Sequence, residues 1–235
     1  LSQDVHLDSY DFTVEDLAEA TVYFRDKANA MALEMPRDPD GNLIYGDFEV
    51  LADQAGNGFH TLTYEHSGAV FAGSLLPVKK LAWADLYTSM GILGITMPLT
   101  GEAAVNPMIP SVALPFTMCH ELAHRLPVAA EDDANYCAFL ACLQYPDADF
   151  QYSGWYSAFV YTYNALHRVD PDAAYAIWDG MSERVKQDCR NANTHYDKYE
   201  GEVQEAAQKV NDTYLKVFKE ESGIRSYGEV ADLLI

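Results

Sequence analysis

Residues 120–124 read His-Glu-Leu-Ala-His. On a helix, two histidines four apart stand one turn above the other on the same face. Both imidazoles can then reach one metal ion, at Zn–N distances of roughly 2.0–2.1 Å. Glu121, beside the first histidine, offers a carboxylate that can take a proton from a water made acidic by the metal. This HExxH spacing is the arrangement of zinc hydrolases. Zn2+ is therefore the cofactor to expect, with His120 and His124 as ligands and Glu121 as the catalytic group.

A catalytic zinc takes three protein ligands and keeps a fourth position open. The next segment, from Glu131 through Asp132, Asp133, Ala134 and Asn135 to Gln144, can supply the third. Its acidic start suits a helix N-terminus. Glu131 is the first choice, because Asn135 follows one turn later on the same face and can hold a ligand or its histidine partner by an outer hydrogen bond. Asp133 is the alternative ligand. An oxyanion also needs a donor, and the C-terminal half offers Tyr152, Tyr161, Tyr163, His167, His195 and Tyr214. Tyr161 is preferred for its place in an aromatic-rich helix, against the plainer reading of a core tyrosine.

These side chains need helices to hold them. Pro115 suits a first helical turn, Phe116, Leu122 and Ala123 give apolar cover, and Pro127 stops the run, so a helix over about 115–126 is predicted. Ala134, Cys137, Ala138 and Ala141 form a small-residue stripe at 3–4 spacing, which lets a second helix from Glu131 approach a neighbour closely. Gly94 to Asn106 has strand composition, and Pro98 confines it to an edge or bulge. An edge strand there could take an extended substrate by β-augmentation or be an ordinary structural edge or hairpin.

Taken together, His120-Glu-Leu-Ala-His124 with Glu131-x-x-Ala-Asn135 resembles the gluzincin branch of the zincin metallopeptidases, whose third ligand is a glutamate on the following helix. Pro98–Asn106, Leu114–His124, Glu131–Cys142, Tyr152-Ser-Gly-Trp155, Tyr163–Leu166, Val210–Lys216 and Ser226-Tyr-Gly228 are similar to an uncharacterised bacterial family of HExxH zinc peptidases. The likeness covers about residues 56–235. It departs at Arg125–Val128, where that family has a Gln-x-Gly-Phe-like stretch, and at Asp133, where it has Glu. The resemblance implies a peptide or protein substrate and an extracytoplasmic domain, with the full-length protein tethered by N-terminal membrane helices. The same ligands would also serve a zinc amidase acting on cell-wall peptide, or a binding or sensory module that retains zinc without turnover.

The chain has 235 residues with 15 basic and 36 acidic side chains, a net charge of −21. Such a surface argues against nucleic acid or an anionic membrane as partner. It suits solubility or a cationic peptide. Four cysteines, Cys119, Cys137, Cys142 and Cys189, contain no CxxC pair, so they read as small buried fillers, with a Cys119–Cys189 link left open. No apolar run is long enough to span a bilayer, and the start at Leu1 reads as a mature or trimmed fragment of a longer protein. His6, His60 and His66 read as surface residues.

The expected fold is α+β and predominantly α-helical: one zincin-like domain over 1–235, in which 1–55 form an N-terminal helical and loop appendage. Thr13 with Asp16 caps a helix running to about Glu34. Residues 36–68 read as loops, short helices or a hairpin. Further helices are expected at 152–167, 171–199, 202–221 and 227–235, the last capped by Ser226 with Glu229.

Overall fold

In the computed structural model, which describes residues 12–59, 76–97, 99–126, 128–199 and 230–235, Thr13 opens helix α1 (Val14–Glu34) as expected. Its hydroxyl accepts from the Asp16 N–H at 3.1 Å, and the Asp16 carboxylate accepts from the Thr13 N–H at 2.8 Å. Two orphan donors of the first turn are satisfied by one reciprocal pair. Leu17, Thr21, Phe24, Ala28 and Ala32 recur at helical spacing and are buried. That stripe lies along α6 (Ala148–Val169), the helix around which the others are arranged. Phe24 and Trp155 both meet Phe139 edge-to-face, at 5.8 and 5.3 Å between centroids. The N-terminal helix thus joins the hydrophobic core of the described residues.

After α1 come α2 (Phe48–Ala55), a 3-10 turn (Gly56–Phe59) and α3 (Ala84–Ser89). Strand β1 (Lys79–Lys80) precedes α3, and β2 (Gly94–Met97) and β3 (Glu102–Val105) follow it. The sheet order is β1-β3-β2, with β1 parallel and β2 antiparallel to β3. The run 94–106, read as an edge strand or a hairpin, is the hairpin. The Gly101 N–H closes its turn on the Met97 carbonyl at 2.8 Å with φ +64°, a conformation natural to glycine. β2 lies at an edge, and Pro98 falls outside the described residues.

Helices α4 (Leu114–Arg125) and α5 (Glu131–Gln144) pack on each other and on α6. The stripe of Ala134, Cys137, Ala138 and Ala141 is fully buried. Gly154 makes the α5–α6 approach possible, because a Cβ there would stand 2.8 Å from the Cβ of Cys142.

The long helix expected over 171–199 is two, α7 (Pro171–Asp179) and α8 (Glu183–Asp197). Asn29 of α1 explains the break: its amide takes the Gly180 carbonyl at 3.1 Å and the Ser182 N–H at 2.8 Å. Ser182 then caps α8. Of the two C-terminal helices expected, 202–221 lies outside the described residues. The other is seen as α9 (Val230–Leu234). His6, His60 and His66 also lie outside them. All four cysteines are free and buried, so Cys119 and Cys189 are not linked. Among the described residues no helix is long and apolar enough to cross a membrane. The fold is α+β, mostly helical with a small mixed sheet.

Candidate metal centre

The site begins with the seating of α4. Pro115 occupies its first turn, and Ser153 on α6 caps it from outside. The Ser153 hydroxyl accepts from the Phe116 N–H at 3.0 Å and donates to the Val112 carbonyl at 2.6 Å. Both bonds are buried, so neither competes with water. Met118, Leu122 and Ala123 bury one side of α4, which leaves His120 and His124 at the partly open rim.

The chain turns extended at Leu126 and re-enters helix at Glu131. This turn performs two tasks. It sends the Val128 carbonyl to the His124 Nδ1, at 3.0 Å. It also aims the Glu131 carboxylate back at both imidazoles. The Nε2 atoms of His120 and His124 are 3.1 Å apart. Glu131 Oε2 lies 3.3 Å from the first and Oε1 lies 3.5 Å from the second.

These separations fit a zinc ion. Three ligand atoms about 2.05 Å from a tetrahedral centre lie about 3.3 Å from one another. A proton on Nδ1 of His124, given to Val128, leaves the Nε2 lone pair free for a metal. Among the described residues this is the one group of three such donors so arranged.

The charges respond to this crowding. Burial disfavours the charged form of His124, but Glu131 outweighs it and lifts the imidazole to about 9. Burial likewise works against ionised Glu131, and the two imidazoles override it, holding the carboxyl well below the usual carboxylate range. Without a metal the site is thus an ion pair with surplus lone pairs.

The Glu121 carboxylate is not one of the three clustered donors and meets the sheet. Its Oε2 accepts from the Thr96 hydroxyl at 2.7 Å, and the same hydroxyl stands 2.8 Å from the Glu121 backbone carbonyl. A Cβ at Gly94 would fall 2.5 Å from Glu121 Oε1. Burial raises its carboxyl above the ordinary value, against the opposing pull of both histidines and Thr96.

Asp133, the alternative ligand, is wholly buried and is not one of the three clustered donors. Two residues from Glu131 on a helix, it faces away from it. Asn135 is buried and its Oδ1 accepts from the Tyr161 hydroxyl at 3.1 Å. Its Nδ2, like the His120 Nδ1, is buried without a hydrogen-bond partner among the described residues. Tyr152 gives its hydroxyl to Asp188, and His167 pairs with Tyr175 at 3.2 Å. Tyr214 lies outside the described residues.

Thr96, Gly94 and Ser153 were not legible as site residues. Their partners lie 25 to 41 positions away, and no local spacing points to them.

Over residues 1–235 the chain matches the family described as "Protein of unknown function (DUF3810)", and it belongs to that family. No curated protein and no solved structure matches it.

Proposed function

We propose that this chain is a zinc-dependent metallopeptidase in which His120, His124 and Glu131 hold the ion and Glu121 moves the proton. The observation that carries the reading is the convergence of three donor residues: the two Nε2 atoms stand 3.1 Å apart, and each has a Glu131 carboxylate oxygen 3.3 or 3.5 Å away, close to the spacing of ligands around one zinc. When bound, zinc would polarise the scissile carbonyl and acidify the attacking water. Glu121 would accept the water's proton and pass it to the leaving amine as the C–N bond breaks, so one carboxylate serves as base and then acid. Its burial supports that role, because a desolvated carboxylate holds a proton more readily. Edge strand β2, lying against Glu121, is where an extended peptide would add by main-chain hydrogen bonds. An extracytoplasmic setting rests on the sequence resemblance alone.

The test is metal analysis followed by turnover. The reading expects one zinc per chain, cleavage of a broad peptide library by the wild type, and a Glu121→Gln variant that keeps zinc and loses cleavage. A chain that stays zinc-free after zinc is offered overturns the metal site. Equal cleavage by the wild type and the variant overturns the part given to Glu121. Zinc without peptide cleavage, but with release of cell-wall stem peptides, would point to an amidase. Zinc with neither activity would point to a binding module.

A further inference from the structure

We propose that Thr96 and Gly94, on the edge strand β2, are positioning residues that set where the Glu121 carboxylate stands. The inference rests on the peptidase reading and adds to it two residues that are neither ligand nor base. In a strand, residues two apart share a face. The register pairs Gly94 with Val105 and Thr96 with Ala103. Ala103 and Val105 are buried while their neighbours on β3 are less so, and both β2 and β3 pack against α4. Gly94 and Thr96 therefore look at the helix that carries Glu121.

Each does something a generic strand residue could not. Gly94 leaves room: a Cβ would come within 2.5, 2.6 and 2.7 Å of the Glu121 Oε1, Cγ and Cδ. Any other residue would push the carboxylate out of this place. Thr96 supplies hold. Its hydroxyl reaches both the carboxylate and the backbone carbonyl of the same glutamate, at 2.7 and 2.8 Å. It has one proton for two acceptors, so its hydrogen bond can follow the carboxylate without leaving the residue. A β-branched side chain on a strand is also stiff at χ1, which makes it a better anchor than a loop serine.

A structural pin from β2 to α4 would need only the backbone contact. The carboxylate contact and the empty Cβ position have no such purpose. Both act on the one group that the peptidase reading asks to move a proton.

The experiment uses the full zinc-loaded chain and three variants: Thr96→Val, Thr96→Ser and Gly94→Ala. Crystal structures give the Glu121 rotamer, metal analysis gives zinc content, and kinetics on a peptide from the library give kcat and KM. All three variants should bind zinc like the wild type. In Thr96→Val the carboxylate should leave its place, with kcat down about 10- to 100-fold at little change in KM, the size expected for losing one hydrogen bond to a charged group. Thr96→Ser should restore both the place and most of the rate. Gly94→Ala should displace the carboxylate with Thr96 intact. An unmoved Glu121 with undiminished kcat in Thr96→Val overturns the proposal, whether or not Gly94→Ala folds. If the wild type cuts no peptide, the peptidase reading fails, and the rotamer in Thr96→Val still decides the positioning claim.

Discussion

Two of the places where the described residues bury charge are built on opposite principles. Between α6, α8 and the loop after α1, Arg37 donates from both terminal nitrogens to the two oxygens of Asp188, at 2.8 and 2.6 Å. Tyr152 donates to the same carboxylate and Arg37 also caps the Gly41 carbonyl at 2.9 Å. Cation and anion come from the chain itself, and only the Arg37 Nε lacks a partner among the described residues. At the rim between α4 and α5, three electron-pair donors converge, and the positive charge that faces Glu131 is a protonated imidazole that can give up its proton. The first cluster is complete without a visitor and ties elements together. The second has more lone pairs than protons and invites a cation. Buried charge is thus architecture where it closes on itself and a site where it does not.

Exchanging damage between the two clusters tests this contrast. The largest effect should come from Asp188→Ala, which strands a buried guanidinium. It should cost about 3–5 kcal/mol of unfolding free energy in denaturant titrations, while the folded fraction still binds zinc stoichiometrically. A mild loss would mean that this pair is not the closed structural lock described.

Glu131→Ala is the mirror experiment. Zinc affinity should fall by more than the about 10- to 100-fold typical of an outer-sphere partner, with the metal-free protein still folded by circular dichroism. Unchanged zinc titration curves would remove Glu131 from the ligand set.

A subtler asymmetry is pH. His124 is held at about 9 against an ordinary 6.5, so its contribution is present below 6.5 and lost as pH rises through 9. Glu131 is depressed below 4.5, so its contribution is present above that value and lost as pH falls beneath it. Chelator-treated protein should therefore be most stable between about pH 4.5 and 6.5 and lose about 1–3 kcal/mol toward pH 9. Saturating zinc, which takes the imidazoles neutral, should flatten the alkaline side. The Arg37 guanidinium does not titrate in this range. Equal melting temperatures at pH 6 and pH 9 in chelator would contradict the ion-paired apo site.

The smallest effect belongs to Ser153→Ala. It should cost about 1–2 kcal/mol, from a lost cap and an unsatisfied buried N–H, with a slight weakening of zinc binding.

What could be read in advance follows the range of the interactions. The His120–His124 pair and Glu121 beside it could be singled out because helical spacing is local, and Glu131 because Asn135 follows it one turn later on the next helix. The start of α1 was legible for the same reason. The break at Gly180–Ser182 was hidden because it depends on Asn29, about 150 positions away. The run Gly94–Val105 left edge strand and hairpin both open because both arms have strand composition, and Gly101 was the local signal for the turn. Glu131 ranked ahead of Asp133 only through Asn135 one turn later, since both are acids in a first turn. Their separation of about 200° around the helix decides which of them can face the histidines.

Ser153 and Gly154 are neighbours, yet one grips the start of α4 and the other admits Cys142 of α5. Slipping that stretch of α6 by a single residue would disturb both partners together. The angle between the imidazole pair and the carboxylate that faces it is thus governed by a rod that supplies none of the three donors. An insertion or deletion near position 153 would then part the three donors as surely as losing a histidine, with each of them still in the sequence.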